Sequence, residues 1–295
     1  MPQATVVIPV YRAESTFARC LEALRRQTFV DFNVVVVDSS PTDSCWRIGA
    51  PLLPEATYLR PGGRLLAHEA CNLGARESRS PLLVFLDPDV YPSPEWMANL
   101  VAARRERGGA VVGGIACYGD RWIDRGAHLA KFDKWLAGGP ARRLPDAATA
   151  NLLIERAVFD QVGPFLSGSA HADTDMSWRL CAGGVPLWLE PKAVVHHHHM
   201  HTWRTLLKER YQRGDGYGRL WLEWVRPSRG RLAWILLISV LPLRLVSQCL
   251  RVWRNVRTAG MARRAVATSP VVVTALYAWL IGESGRYLES LLGAK

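Results

Sequence analysis

The segment PLLVFLDPDV, residues 81–90, decides the fold of this chain. An apolar run leads directly into two carboxylates, Asp87 and Asp89, which stand one residue apart. A strand that is apolar nearly throughout is typical of a parallel sheet with helices covering both faces. Because binding residues of such sheets lie beyond the carboxyl ends of the strands, the segment predicts a functional site at its two aspartates.

The remainder of the first two thirds repeats this alternation of short apolar runs and longer amphipathic stretches. We predict further strands at residues 5–10, 33–38, 56–59, 110–115, 185–190 and 193–199. We predict helices at residues 14–27, 64–78, 94–107, 155–162 and 173–182. Residues 116–148 are less periodic and are interpreted as an insertion or acceptor loop. The alternation predicts a doubly wound α/β domain with a mostly parallel sheet flanked by helices.

Charge divides the chain into two regions. The 295 residues carry a formal net charge of +11, and all of this excess falls in residues 202–295, because residues 1–201 are neutral. The last third also holds six of the twelve tryptophans. We therefore predict two domains, 1–201 and 202–295. An apolar fraction of 49% excludes a disordered chain, a collagen and a small disulfide scaffold.

The last third is predicted to be helical and to associate with a membrane. Residues 202–225 form a basic amphipathic pattern interrupted by three glycines, and apolar runs follow at 232–243 and 271–281. Neither run reaches the ~20 uninterrupted apolar residues of a spanning helix. Arginines flank the first run on both sides. We expect amphipathic helices or a shallow re-entrant pair on an anionic membrane surface, with two buried core helices as the alternative.

The cysteine pattern and the N-terminal residues indicate the cellular compartment of the protein. The six cysteines are scattered without a C-x-x-C pair, and no basic segment followed by an apolar run opens the sequence. We therefore expect free thiols, no secretory signal and a reducing environment. Together with the basic last third, this predicts a peripheral or monotopic protein at the cytoplasmic face of the cell membrane.

Carboxylates and imidazoles at strand ends predict a metal site. Two carboxylates one residue apart can hold Mn²⁺ or Mg²⁺, whose open positions accept phosphate oxygens. Asp38 ends another predicted strand and is placed to accept hydrogen bonds from a ribose or base. On a strand, His196 and His198 would share one face, where either would complete a mixed nitrogen and oxygen site. The alternatives are turn-forming aspartates and a polar strand end.

Residues 172–179 have the character of a helix start. Asp173 would lie in the first turn, where the helix dipole favours an ionised carboxylate. Asp175 and Arg179 stand four residues apart, so a structural ion pair between them is also expected.

Five ordered segments together resemble the family 2 glycosyltransferases, enzymes of the Rossmann-like GT-A fold. They are VVIPVYR (6–12), VVVVDSSPTD (34–43), EACNLGARESRSPLLVFLDPDV (69–90), ATANLLIERAVFDQVGPF (148–165) and ADTDMSWRLCAGGVPLWLEPKAVVHH (172–197). The segment TALYAWLIGESGRYL (274–288) is similar to the C-terminal ending of bacterial members that act at membranes. The sequence departs from the family pattern at Arg12, Ser39, Cys71 and Ala172.

The resemblance implies a role for each matching residue. Asp173 is expected to be the general base, and Asp89 a direct metal ligand together with His196 or His198. The donor-binding residues would be Pro9, Tyr11, Glu14, Asp38, Asn72 and Asp87, and the acceptor-side residues Asn151, Asp175 and Arg179.

The expected activity is sugar transfer from a nucleoside-diphosphate sugar to a hydroxyl acceptor. A single base opposite the leaving group implies inversion at the anomeric carbon. A lipid-linked or cell-surface glycan at the membrane is the expected acceptor. One alternative is a nucleotidyltransferase, although residues 11–14 lack the glycines that would cradle a triphosphate. The other is a non-catalytic, membrane-associated nucleotide-sugar-binding module. Nucleic-acid binding is not expected, because the sequence contains no recognition motif.

Overall fold

The structure is a computed structural model, and it describes residues 1–293. The chain forms two compact units. The first unit contains residues Met1–Tyr118 and Ala137–His198, and the second contains Gly119–Leu136 and the chain from His199 onward. The second unit is therefore discontinuous in sequence. Its early segment, residues 119–136, lies within the stretch that sequence analysis interpreted as an insertion.

The secondary structure follows the predicted alternation. The strands are β1 Ala4–Val10, β2 Phe32–Asp38, β3 Thr57–Leu59, β4 Leu82–Leu86, β5 Val90–Pro92, β6 Ala110–Tyr118, β7 Arg142–Arg143, β8 Asn151–Glu155 and β9 Leu187–His198. The helices are α1 Phe17–Arg25, α2 Ser44–Leu52, α3 Ala67–Glu77, α4 Trp96–Arg107, α5 Trp122–Phe132, α6 Arg156–Val162, α7 Ala172–Ala182, α8 Trp203–Val225, α9 Arg229–Val240, α10 Leu243–Thr258 and α11 Ala262–Leu292. Of these, α5 and α8–α11 belong to the second unit.

All nine strands belong to one mixed sheet in the first unit. The strand order is β3-β2-β1-β4-β8-β6-β9-β5, with β7 paired to β9. Strands β1–β4 form a parallel block, β8 runs antiparallel between β4 and β6, and β6 is parallel to β9. Every residue of β1 and β4 is buried, which explains their continuous apolar sequences. The predicted α/β fold is confirmed.

One prediction in this sheet was wrong. Residues 185–190 and 193–199 were predicted as two strands, but β9 runs unbroken from Leu187 to His198. Its register against β6 shifts between Gly113 and Ile115, opposite the segment that contains Pro191. A proline has no backbone N–H to donate, and a register irregularity accommodates it within a strand.

The second unit is built on the close packing of helix α11. Its buried core includes Ala127 of α5, Leu206 of α8 and Val271 of α11. The glycines of α8 were predicted to interrupt a helix, but α8 is continuous. A Cβ at Gly214 would lie 2.0 Å from the carbonyl oxygen of Trp279. That glycine therefore allows two helix backbones to meet.

Helix α11 is longer than the apolar run that predicted it. Its 31 residues have a mean hydropathy of 1.6 over the best window, and half of that window is buried. By length and composition it is sufficient to cross a membrane, and α9 with α10 would pass the same test as one span bent by 73°. The apolar run at 271–281 is itself shorter than a span, but the helix continues through Pro270 and small residues on both sides of it, so α11 as a whole reaches spanning length.

Candidate active site

Three strand ends place polar residues at one edge of the sheet. Val10 at the end of β1 pairs in register with Asp38 at the end of β2, and β4, on the other side of β1, leads into Asp87. Asp38 is 1% exposed, and its Oδ1 accepts a hydrogen bond from the Ser40 amide at 3.0 Å. Its Oδ2 is buried and has no hydrogen-bond partner among residues 1–293. Burying a carboxylate oxygen without a hydrogen-bond donor lowers the stability of the folded protein. A ligand that donates a hydrogen bond to Asp38 Oδ2 would remove this penalty.

Tyr11 presents an aromatic ring at the same edge. The guanidinium of Arg64 lies 4.6 Å from the ring centroid and that of Arg12 lies 5.5 Å away. Arg12 adopts the left-handed φ of 51°, and its amide donates to Ser40 Oγ at 2.9 Å. The turn after β1 is therefore tied to the turn after β2. Of the other residues predicted here, Pro9 is buried within β1 opposite Val37, and Glu14 is exposed.

Asp87 and Asp89 follow β4 and are half-buried. The Oδ2 of Asp89 lies 3.8 Å from Nε2 of His197. Metal bonds to oxygen and nitrogen of about 2.0–2.2 Å each would let one cation bind both atoms at this separation. The carboxylate and imidazole therefore fit a divalent ion such as Mn²⁺.

The histidine beside Asp89 is not one of those predicted. His198 Nδ1 lies 2.8 Å from the hydroxyl of Tyr91, and His196 Nδ1 lies 3.4 Å from the Tyr91 carbonyl oxygen. The structure places His197 beside Asp89, and the ligand role predicted for His196 or His198 stays a prediction. Alternation along a strand correctly predicts that His196 and His198 lie on one face and His197 on the other. Asp89, however, precedes β5 and is not part of the sheet. Alternation therefore does not predict which face of β9 lies beside Asp89.

Two buried cysteines, Cys71 and Cys20, experience the negative charges of the candidate site. Burial raises the pKa of Cys71 well above its usual range, and the negative charges of Asp87 and Asp173 raise it further. Burial, together with Asp89 and Asp87, likewise raises the pKa of Cys20. Asp173 is half-buried in the first turn of α7, and its Oδ1 accepts from the Thr174 amide at 2.8 Å. Asp173 and Asp87 thus both act electrostatically on Cys71.

Comparison with known proteins identifies the family to which this chain belongs. The family model "Glycosyl transferase family 2" matches residues 5–163, more than half of the chain. The chain belongs to glycosyl transferase family 2. It is a glycosyltransferase that uses a nucleotide-sugar donor. The matched range contains Asp38, Asp87 and Asp89, whereas Asp173 and the histidines follow it.

Relatives of known description include other glycosyltransferases. Glycosyltransferase AglE of Haloferax volcanii is 25% identical over 236 residues, which are 75% of this chain and 75% of that protein. Validoxylamine A glucosyltransferase of Streptomyces hygroscopicus subsp. limoneus is 28% identical over 227 residues, covering 63% of this chain. The match spans about half of that relative, 49% of its length.

Solved structures show the same fold. Mannosyltransferase PcManGT from Pyrobaculum calidifontis, in complex with GDP-Man and Mn²⁺, superposes with a TM-score of 0.64 at 19% identity. The match covers 98% of this chain and 88% of that one. GalNAc-T7 with UDP, GalNAc and Mn²⁺ gives a TM-score of 0.54 at 18% identity, covering 68% and 44%. The GT-A fold is thereby established for this family 2 member.

Two asparagines predicted to contact substrates have structural roles. The side chain of Asn72 donates to the Phe165 carbonyl oxygen at 2.8 Å and accepts from the Phe165 amide at 2.9 Å. Asn151 is fully buried, accepts from Trp96 Nε1 at 2.7 Å and donates to the backbone oxygens of Gly114 and Ala193. Both amides thus make structural hydrogen bonds in the folded chain, and the predicted donor-binding and acceptor-side roles stay predictions.

Asp175 and Arg179 form the expected structural pair. Arg179 Nε donates to Asp175 Oδ2 at 2.9 Å, and its other nitrogens donate to the backbone oxygens of Val162, Gly163 and Pro164. Asp175 is buried by this arrangement. The pair holds the loop after α6, whereas Asp173, in the same first turn of α7, is half-buried. The acceptor-side role predicted for Asp175 and Arg179 stays a prediction.

A cluster beside the site escaped sequence analysis. Arg19 of α1 donates to the hydroxyl of Tyr118. Its guanidinium lies 5.1 Å from the Tyr118 ring centroid and 5.5 Å from that of Tyr91. Burial raises the pKa of Tyr91 to about 12, so its hydroxyl stays protonated beside His198. No spacing pattern links these residues, because α1, β5 and β6 bring them together only in the folded chain.

Proposed function

We propose that this protein is an inverting, metal-assisted glycosyltransferase that acts at a membrane surface. The observation that carries the proposal is the gathering of Asp38, Asp87 and Asp89 at the carboxyl edge of one sheet. A nucleoside-diphosphate sugar offers hydrogen-bond donors, a sugar and a diphosphate in one molecule, and this edge supplies a partner for each.

The donor is held through its nucleoside and its diphosphate. The unpartnered Oδ2 of Asp38 accepts from the base or ribose, and the half-buried ring of Tyr11 lines the same edge. Asp89 and His197 hold Mn²⁺ or Mg²⁺. The ion, when bound, neutralises charge that grows on the leaving diphosphate. GDP-Man and UDP in the structures of similar fold support this class of donor without selecting a base.

Asp173 acts as the general base. It accepts the proton of the acceptor hydroxyl while the new C–O bond forms at the anomeric carbon and the bond to the diphosphate breaks. It lies in the first turn of α7 and is half-buried. Because one base serves one displacement, the anomeric configuration inverts.

The acceptor is a lipid-linked or cell-surface glycan at the cytoplasmic face of the membrane. Support comes from the charge of residues 202–295, which carry the whole net +11. Basic residues near an anionic bilayer each contribute about 1 kcal/mol of attraction.

The test combines a donor panel with a matched pair of variants. Purified protein is given GDP-, UDP- and dTDP-sugars with Mn²⁺, and released nucleoside diphosphate is measured. Asp173→Asn should lower the transfer rate by about 10²–10⁴, while nucleoside-diphosphate affinity stays unchanged. Asp160→Asn, on exposed α6, is the control and should retain full rate.

Three results would contradict the proposal. A rate for Asp173→Asn within about tenfold of the unmodified protein would place the base elsewhere. Full turnover in EDTA would remove the metal from the mechanism. Retention of anomeric configuration in the product, read by NMR, would overturn the single displacement.

A further inference from the structure

The second unit presents an exposed apolar elbow, defined as helices α9 and α10. The two helices are bent by 73° at the break between them. Val240 at the apex is 83% exposed and Leu243, just beyond Pro242, is 57% exposed. Contiguous exposed apolar surface of this kind marks an interaction site rather than ordinary solvent-facing surface.

The apolar surface continues along both arms. On α9, Trp234 and Leu237 are exposed, three residues apart. On α10, Val246, Leu250 and Trp253 are exposed at spacings of four and three, which place them on one face. Trp234 lies midway along α9 and Trp253 lies in the second half of α10, so on each arm a tryptophan follows the exposed aliphatic residues nearest the apex. Tryptophan in this position is typical of the boundary between hydrocarbon and lipid headgroups.

Arginines extend the pattern beyond each tryptophan. They are Arg229 and Arg231 at the start of α9, and Arg254 and Arg257 at the end of α10. All four are exposed, and none forms an ion pair with a carboxylate within residues 1–293. Arg229 donates to the Leu291 carbonyl oxygen at 2.9 Å, and the guanidinium of Arg231 lies 5.3 Å from the Trp221 ring centroid. From the apex outward, each arm thus runs from aliphatic residues to tryptophan to arginines whose charge no described carboxylate neutralises.

The angle of the elbow is fixed from inside the unit. Arg244 donates to Ser239 Oγ across the break at 2.9 Å and to Glu283 Oε1 of α11 at 2.7 Å. Tyr287 also donates to that oxygen, at 2.8 Å, and Glu283 is 3% exposed. The bend is therefore set by buried polar contacts, so the apolar face is present before any partner arrives.

We propose that the elbow seats in the interfacial layer of an anionic lipid bilayer, with its apex toward the hydrocarbon. The inference rests on the membrane setting of the proposed function and identifies the surface responsible. Lipid phosphates complement the four exposed arginines. A second copy of this chain would bring the same arginines against each other, which opposes association through this face.

The dimensions of the elbow suit one leaflet. Helix α9 has 12 residues, a length of about 18 Å at ~1.5 Å per residue. If the arms are equally inclined at a 73° bend, the apex lies about 11 Å below the outer ends, short of half the ~30 Å hydrocarbon core. This depth matches a helix lying in the interface rather than a span.

Helix α11 is not the anchor in this arrangement. It carries the buried Glu283, and a Cβ at Gly282 would lie 2.1 Å from the Tyr211 carbonyl oxygen of α8. A buried carboxylate and a backbone-to-backbone contact are features of a core helix. The apolar residues of α11 therefore pack within the second unit, whereas those of the elbow contact the lipid.

The experiment measures binding of the full-length chain to vesicles of phosphatidylcholine with and without phosphatidylglycerol, by flotation. The test variant is Val240→Glu. Its matched control is Val30→Glu, because Val30 is 81% exposed in the first unit. Binding should require phosphatidylglycerol and weaken at least about tenfold in Val240→Glu. Val30→Glu should bind like the unmodified chain, and nucleotide-sugar turnover in solution should be the same in all three.

Several results would overturn the elbow as the membrane surface. Equal vesicle binding by Val240→Glu and the unmodified chain would do so. Resistance of the bound protein to alkaline carbonate extraction would assign the anchor to a span. A dimer in light scattering that Val240→Glu dissociates would assign the face to a second copy. Loss of turnover for every nucleotide sugar would instead contradict the proposed function and leave vesicle binding as a separate result.

Discussion

Replacing Gly282 by alanine tests the contact that organises the second unit. The added Cβ would lie 2.1 Å from the Tyr211 carbonyl oxygen and 2.9 Å from the Asp215 amide nitrogen. Both obstacles are backbone atoms of α8, so the two helices must move apart by about 1 Å. Overpacking costs up to about 3 kcal/mol, and alanine returns up to about 1 kcal/mol of helix propensity. We expect a net loss of about 2 kcal/mol in the free energy of unfolding.

Gly285→Ala is the control on the same helix. Its nearest atom outside the helix is Tyr211 Oη, at 4.0 Å from the added Cβ, so this variant should be neutral or more stable by up to about 1 kcal/mol. Urea unfolding followed by tryptophan fluorescence reports on this unit, because six of the twelve tryptophans lie in residues 202–295. Equal unfolding midpoints for the two variants would refute the close approach of α8 and α11.

Three further predictions concern polar groups. Burial raises the pKa of Glu209, but hydrogen bonding to His201 and the charge of Lys131 hold it below the ordinary 4.5. Its stabilisation is thus present above pH 4.5 and lost as pH falls, so the melting difference between Glu209→Gln and the unmodified chain should shrink on acidification. Asn151→Leu should cost about 3 kcal/mol of stability without a selective rise in acceptor KM. Asp38→Asn should weaken nucleoside-diphosphate binding at least about tenfold in calorimetry, with an unchanged melting temperature.

The predictable part of the structure is the part that local pattern determines. Apolar runs buried on both faces gave the parallel strands, and the residues that follow such strands gave Asp38 and Asp87 their positions at one edge. Asp173 could be placed in a helical first turn for the same reason. In each case the sequence neighbours of the residue determine where it lies.

What could not be predicted depends on distant partners. Asn151 matches the family pattern whether it faces a substrate or, as here, Trp96. His197 and His198 differ only in which element lies opposite, and Asp89 joins the former from outside the ladder. The glycines of α8 predict a break in an isolated helix, yet a second helix turns them into a contact site. These contacting residues are distant in sequence, so local sequence patterns do not identify them.

The discontinuity of the second unit has a consequence for synthesis. Helix α5 leaves the ribosome before the rest of the first unit, and its partners α8–α11 come only after residue 198. The later core partners of Ala127 begin at Leu206 and end at Leu276. Synthesis of the roughly 150 residues up to Leu276 takes on the order of 10–30 s at ribosomal rates. During that interval the apolar residues Ala127, Leu129 and Ala130 are exposed to chaperones or to misassociation. Any shortened chain that ends near residue 201 would extend this exposure indefinitely.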